Sequence, residues 1–144
     1  LKEVEAAEPE FLSPHAYLAD IYRMRGEFRE YLRESRIAAQ LRHDERLLSV
    51  VRAGEQGLQA GGTAGMYEAM LRRQKELHSA GDERVYALAR TSALAGRKAE
   101  ALDYLRQAYE RREPMMTGLL VDSAFRELRK EPEFQRLVAK VGLG

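Results

Sequence analysis

The chain contains no cysteine. That absence excludes a disulfide framework, a Cys-ligated metal site and a thiol nucleophile. Long apolar runs are missing too: no stretch approaches the roughly 18 apolar residues of a membrane span, so no membrane insertion is expected. The first residues show no signal-peptide pattern. Neither sign of charge prevails, with 24 Lys and Arg against 23 Asp and Glu and a formal net charge of +1. This balance gives no reason to expect direct nucleic-acid binding or an acidic membrane partner. A cytoplasmic location is the expectation, with the extracytoplasmic part of a membrane-linked regulator as its alternative.

The vocabulary that remains is helix-forming. Ala, Leu, Arg and Glu dominate, and a third of the 144 residues are charged. Arg outnumbers Lys nineteen to five, a bias that suggests a GC-rich bacterial coding sequence. Within this background Gly26, Gly61 and Gly96 stand thirty-five residues apart. Seven positions before each lies a small residue: Ala19, Gly54 and Ala89. A fixed period of this size is the mark of a repeat protein.

Reading outward from the glycines gives three helical hairpins. Ser13 and Pro14 open the first helix at N-cap and first helical position, and Gly26 ends it in the left-handed geometry of a C-cap. Its partner runs from about Glu27 to Leu41. Asp44 caps the next helix, which ends at Gly61-Gly62, and Thr63 opens the helix after it. Gly81-Asp82 is a stop followed by a start, and the third pair ends at Pro114. One hairpin cannot bury its own apolar stripe, so neighbours must stack. The small residues at positions 19, 54 and 89 let paired helices approach closely.

Leu88-Ala89, Gly96, Ala101, Ala108 and Pro114 together resemble a tetratricopeptide repeat, whose nominal period of about 34 residues is one shorter than here. The first unit matches through Leu18, Ala19, Tyr22, Gly26, Phe28 and Ala38 and departs at Tyr31. The middle unit keeps Ala53, Gly54 and Gly61 but carries Met66 and Arg73 at two sites where the family uses small residues. The resemblance implies an all-α, right-handed superhelix of about three hairpins. Its parts are the second half of a preceding repeat over 1–10, repeats over 11–43, 44–81 and 82–114, and capping helices over 115–144. A half helix at the start predicts more repeats or another domain upstream, and an edge open to self-association.

The tail has its own signals. Asp122 and Ser123 can cap one short helix, and Glu131-Pro132 can begin another. Phe125, Leu128, Phe134, Leu137 and Val138 would then cover the open end of the last repeat. With the Gly61-Gly62 turn, this tail is similar to the C-terminal repeat regions of multidomain bacterial regulators of the winged-helix type.

Chemistry is sparse. His15, His43 and His78 fall in different elements with no metal-ligand spacing, and His15 reads as a packed or half-exposed residue. No serine sits in a nucleophile elbow, and no phosphate-binding loop is present. No catalytic residue, metal or cofactor is therefore expected. Arg72, Arg73 and Lys75, and likewise Arg111 and Arg112, have Glu76, Glu110 and Glu113 beside them and read as solvated faces. Met66, Met70, Met115 and Met116 read as packing.

The resemblance places a concave groove along the first helix of each pair. By register, Asp20, Arg23, Glu55, Gln59, Tyr86 and Arg90 should face it. Charge-assisted hydrogen bonds and the Tyr86 ring would suit a peptide or protein partner. The Lys and Asn clamp that one subfamily uses for a C-terminal carboxylate is absent, its sites being Ala16 and Asp20, Val51 and Glu55, Tyr86 and Arg90. Two functions remain open: a protein-interaction scaffold, as a sensory or assembly module, or a small-ligand-binding or catalytic helical domain that uses the groove as a pocket.

Overall fold

The computed structural model describes residues 14–81 and 84–142. Every regular element among them is helical, with no strand. The half helix expected over 1–10, its self-association edge and the caps Ser13 and Asp82 lie outside the described residues. The chain forms two compact units, Leu1–Met70 and Leu71–Gly144.

The first unit begins with α1 (Pro14–Met24) and α2 (Phe28–Leu41). They are joined by Gly26 in the left-handed conformation, with φ 77°. The Glu27 N–H donates to the Tyr22 carbonyl at 2.9 Å, closing the α1 C-terminus. The end of α2 repeats this turn without glycine. His43 has φ 54° and the Asp44 N–H donates to the Ala39 carbonyl at 2.9 Å. Asp44 then starts the next helix as expected, its Oδ1 accepting the Leu47 N–H at 3.0 Å.

That helix is one arm of a long helical span, Glu45–Ser79, broken at Gly61 and Gly62. The arms are α3 (45–60) and α4 (63–79), and the boundary between the two units falls inside α4. Here the thirty-five-residue period misleads by one position. Gly61 has φ −142°, a negative value open to any residue, whereas Gly62 has φ 68° and ψ −156°. That region is essentially restricted to glycine. Gly62→Ala should therefore cost roughly 1–3 kcal/mol of backbone strain, while Gly61→Ala should change stability little, since nothing lies within 4 Å of its added Cβ. Urea unfolding of the two variants distinguishes them; equal midpoints would show that the turn is not locked at Gly62.

Buried residues of this unit include Ala19, Leu32, Ala38, Ala39, Val50, Val51 and Met66. Phe28 meets Tyr67 edge-on, with ring centroids 6.1 Å apart. Met66 occupies a site where the repeat pattern wants a small residue, yet it is fully buried. The small residues that bring α3 and α4 together are Gly54, as the register expects, and Gly57 and Gly65, which lie outside it. A Cβ on Gly57 would stand 2.3 Å from the Gly65 carbonyl oxygen, and one on Gly54 2.9 Å from Met70 Cγ.

In the second unit α5 (Val85–Leu94) and α6 (Lys98–Glu110) form the regular hairpin read from the sequence. Gly96 has φ 81°, and the Arg97 N–H donates to the Ser92 carbonyl at 2.8 Å. Val85, Leu88, Ala89, Ala101, Leu105 and Ala108 are buried. The end of α6 uses Arg112 at φ 56°, which turns the chain inward. Glu113 thereby becomes buried, contrary to its reading as part of a solvated face. Its two carboxylate oxygens accept the Val85 and Tyr86 N–H groups at 3.1 and 2.9 Å. These are orphan donors of the first turn of α5, so Glu113 caps that helix from across the hairpin, with its charge at the favourable end of the dipole.

Two 3₁₀ turns, Pro114–Gly118 and Ser123–Leu128, lead into α7 (Pro132–Val141). Asp122 caps the second turn, accepting the Ala124 N–H at 3.0 Å, and Pro132 opens α7 as expected. Phe125, Leu128, Phe134, Leu137 and Val138 are all buried in one cluster with Val85, Tyr86 and Leu105. The tail is thus an integral part of the second unit's core.

Candidate functional site

Of the six residues that register assigns to a groove, two belong to the core chemistry of the second unit. Tyr86 is only 1% exposed. Its ring packs edge-on against Phe125 at 5.6 Å, and its hydroxyl donates to Asp122 Oδ2 at 2.8 Å. An aromatic platform for a ligand is therefore not available at Tyr86. The reason is the tail: the second 3₁₀ turn lies against α5 and covers this position. Arg90, one helical turn on, donates from Nε to the same Asp122 Oδ2 at 2.8 Å.

Asp122 is thus the hub of a network, with one oxygen shared by Tyr86 and Arg90 and the other holding the Ala124 N–H. Burial alone would push its carboxyl up. The Arg90 charge, with hydrogen bonds from Arg90, Ala124 and Tyr86, outweighs burial and holds it below the usual carboxylate range. Tyr86 responds in the opposite sense: burial, the Asp122 charge and the hydrogen bond to Asp122 push its phenol far above the ordinary tyrosine value. A neutral phenol donating to a paired carboxylate is a structural lock. It leaves no base poised near neutrality, as general acid–base work requires.

The other four register residues lie in the first unit. On α1, Arg23 donates to Asp20 Oδ1 at 2.9 Å, and the Arg23 side chain is 6% exposed. Arg23 is a buried member of an i,i+3 pair and offers little surface to a partner. Asp20 remains half exposed. His15, near the start of α1, approaches buried Glu34 of α2 at 3.1 Å, in keeping with a half-exposed structural role.

Glu55 and Gln59, one turn apart on α3, do line a cavity, but their neighbours come from α2. The cleft has a volume of about 540 Å³ and is walled on the α2 side by Arg29, Arg33 and Arg36. Leu32 and Leu58 form its apolar lining. Spacings of four and three residues put the three arginines on one helical face. Arg36 donates to Glu55 Oε2 at 3.0 Å, and both partners remain partly exposed. Arg29 and Arg33 are exposed, and neither has a charged or hydrogen-bonded partner among the described residues.

No protein-family model, curated protein or solved structure matches the chain. Function rests on the sites themselves. Among the described residues no group of three or more His, Asp or Glu side chains is arranged to hold a metal ion, and no helix is long and apolar enough to cross a membrane.

The α2 arginines carried a signal in the sequence, a basic stripe at positions 29, 33 and 36. It is hidden by the nearly neutral charge of the whole chain and by Glu30 and Glu34 in the same stretch. Only helical geometry separates them: Glu34 turns to the buried side and contacts His15, and Glu30 is not among the residues that line the cleft, whereas the three arginines are. A second depression, of about 210 Å³, lies between α6 and α7 in the second unit. Of its three cations, Arg106 is paired to Glu133 at 2.8 Å and Lys140 lies 5.9 Å over the Tyr109 ring, while Arg136 has no ionic partner among the described residues.

Proposed function

We propose that this chain is a protein-interaction module, a tetratricopeptide-like array that receives a segment of another protein. It would serve as the sensory or assembly part of a larger bacterial regulator. The observation that carries this reading is the cleft between α2 and α3, where side chains from two rigid helices converge on an apolar lining with hydrogen-bonding capacity unspent. Repeating Schellman-type turns at Gly26, His43, Gly96 and Arg112 support the array. So does close helix pairing at Ala19, Gly54 and Ala89, each buried.

A small-ligand or catalytic domain is the competing reading, and the cleft's volume falls in the general range of ligand pockets. A thermal-shift screen of peptides and metabolites separates the two. A bound peptide at a hundredfold excess over its Kd adds about 2.7 kcal/mol, which raises the melting temperature by several degrees. The interaction reading expects such a rise with peptides. Strong stabilisation by a metabolite, and none by any peptide, would overturn it.

A further inference from the structure

Building on the interaction reading, we infer that the partner segment is an acidic helix, docked by its carboxylates along Arg29, Arg33 and Arg36. Three observations converge. The first is spacing. Seven residues of α2 span about 10 Å, so the three guanidinium groups form a ladder at i, i+4 and i+7. Carboxylates at the same spacing on a second helix would face them in register.

The second is cost. Two arginines at i,i+4 repel each other and weaken an isolated helix. Arg29 and Arg33 carry that penalty; Glu30 shares the helix, three residues before Arg33, but no ion pair joins it to either arginine. A guanidinium fork is built for bidentate capture of a carboxylate, and here two forks stand open at the mouth of a cleft. Arg36, held at one nitrogen by Glu55, keeps its remaining donors.

The third is the composition of the opposite wall. A nucleic acid would present a continuous run of phosphates, and Glu55 would stand among them as a like charge. Against a peptide the same wall is favourable. Gln59 offers both a donor and an acceptor, Glu55 anchors Arg36, and half-buried Leu58 gives an apolar residue between the carboxylates a surface to cover. The occupant is thus an amphipathic segment with Glu or Asp at i, i+4 and i+7 and an apolar residue between them.

The test uses the whole chain and a fluorescent peptide library of helical 16-mers. One subset carries carboxylates at i, i+4 and i+7, one carries the same acids scrambled, and others are neutral or basic. Anisotropy should select the patterned acidic subset, with affinity falling steeply as salt rises. The double variant Arg29→Glu/Arg33→Glu should weaken that binding at least tenfold. Its circular dichroism and melting should stay close to wild type, because both side chains are exposed. Arg111→Glu, on the exposed end of α6, should leave binding unchanged.

If neutral or basic peptides bind the cleft instead, the acidic-partner inference is wrong while the interaction reading stands. If no peptide of any charge binds, the interaction reading itself fails. Two further results would overturn the inference: binding of a single-stranded oligonucleotide lost in the double variant, or concentration-dependent dimers, seen by light scattering, lost in the same variant. They would assign the arginine ladder to a nucleic acid or to a second copy of the chain.

Discussion

Gly57→Ala should destabilise the first unit by about 3 kcal/mol, against the sign that helix propensity gives. Gly57 lies inside α3, and replacing a mid-helix glycine by alanine ordinarily stabilises by roughly 0.5–1 kcal/mol. Here the new Cβ would stand 2.3 Å from the Gly65 carbonyl oxygen and 2.8 Å from the Ala69 Cβ. The first obstacle is backbone, so no rotamer change relieves it and the two arms must separate. Overpacking of a close contact costs typically 1–3 kcal/mol and sometimes more, to which the lost burial around Met66 and Met70 is added. Gly65→Ala meets the mirror contact, 2.5 Å from the Gly57 carbonyl oxygen. Once either variant has pushed the arms apart, the second change meets less resistance, so the double variant should cost clearly less than the sum of the singles. Urea unfolding of the three proteins measures this. A Gly57→Ala protein as stable as wild type would mean that α3 and α4 do not pack this closely.

This contact marks the limit of what periodicity makes legible. Helix starts and stops, the all-α class, and the five apolar residues of the tail are all readable from local signals: Asp44, Gly26, Gly96, Pro132 and a helical spacing of apolar side chains. The middle hairpin departs because close packing there is only partly carried by the positions that repeat, Gly54 against Met70 being the one that holds. Gly57 and Gly65 lie outside the thirty-five-residue register, and they supply the backbone closeness that Met66 and Arg73 deny. A period identifies what successive units share. A unit that solves the same packing problem with other residues is invisible to it.

The candidate site was legible in half. Glu55 and Gln59 follow from the register that the repeat resemblance supplies, because which face of α3 lines a cleft is set by helix phase once that register is chosen. Their neighbours Arg29, Arg33 and Arg36 require knowing which face of α2 turns toward α3. Tyr86 and Arg90 failed for the opposite reason. Helix phase exposes them, but a tail thirty residues further on returns to cover one and bind the other. Glu113 belongs with them: no local pattern reveals a carboxylate that caps a helix beginning twenty-eight residues earlier.

Asp122→Ala should destabilise the second unit by about 3 kcal/mol, and the size of the loss should depend on pH in a way that identifies the cause. The aspartate accepts from the Tyr86 hydroxyl, Arg90 Nε and the Ala124 N–H. Removing it strands a buried phenol and a partly buried guanidinium; hydrogen bonds to charged groups contribute a net of about 1.5–3 kcal/mol each, and solvent reaching Arg90 reduces its share. The folded state holds the Asp122 carboxyl below its ordinary range. Its contribution is therefore complete above the unfolded carboxylate value, near 4, and drains away as pH falls through the folded value. The gap between wild type and Asp122→Ala should be widest near neutrality and close in acid. Tyr86 gives the alkaline counterpart. Its folded phenol is raised, so its contribution is complete below about 10, the ordinary tyrosine value, and is lost as pH climbs beyond it. Chemical denaturation from acid to strongly alkaline pH should trace both limbs in wild type. Asp122→Ala should lose the acid limb and flatten the alkaline one, since the charge that holds the Tyr86 proton is gone. A gap that stays constant from neutral to acid pH would show that Asp122 acts by shape alone. Any substitution at Arg90 then acts on this lock as well as on any partner, so its effect on binding is read only after its effect on stability has been measured.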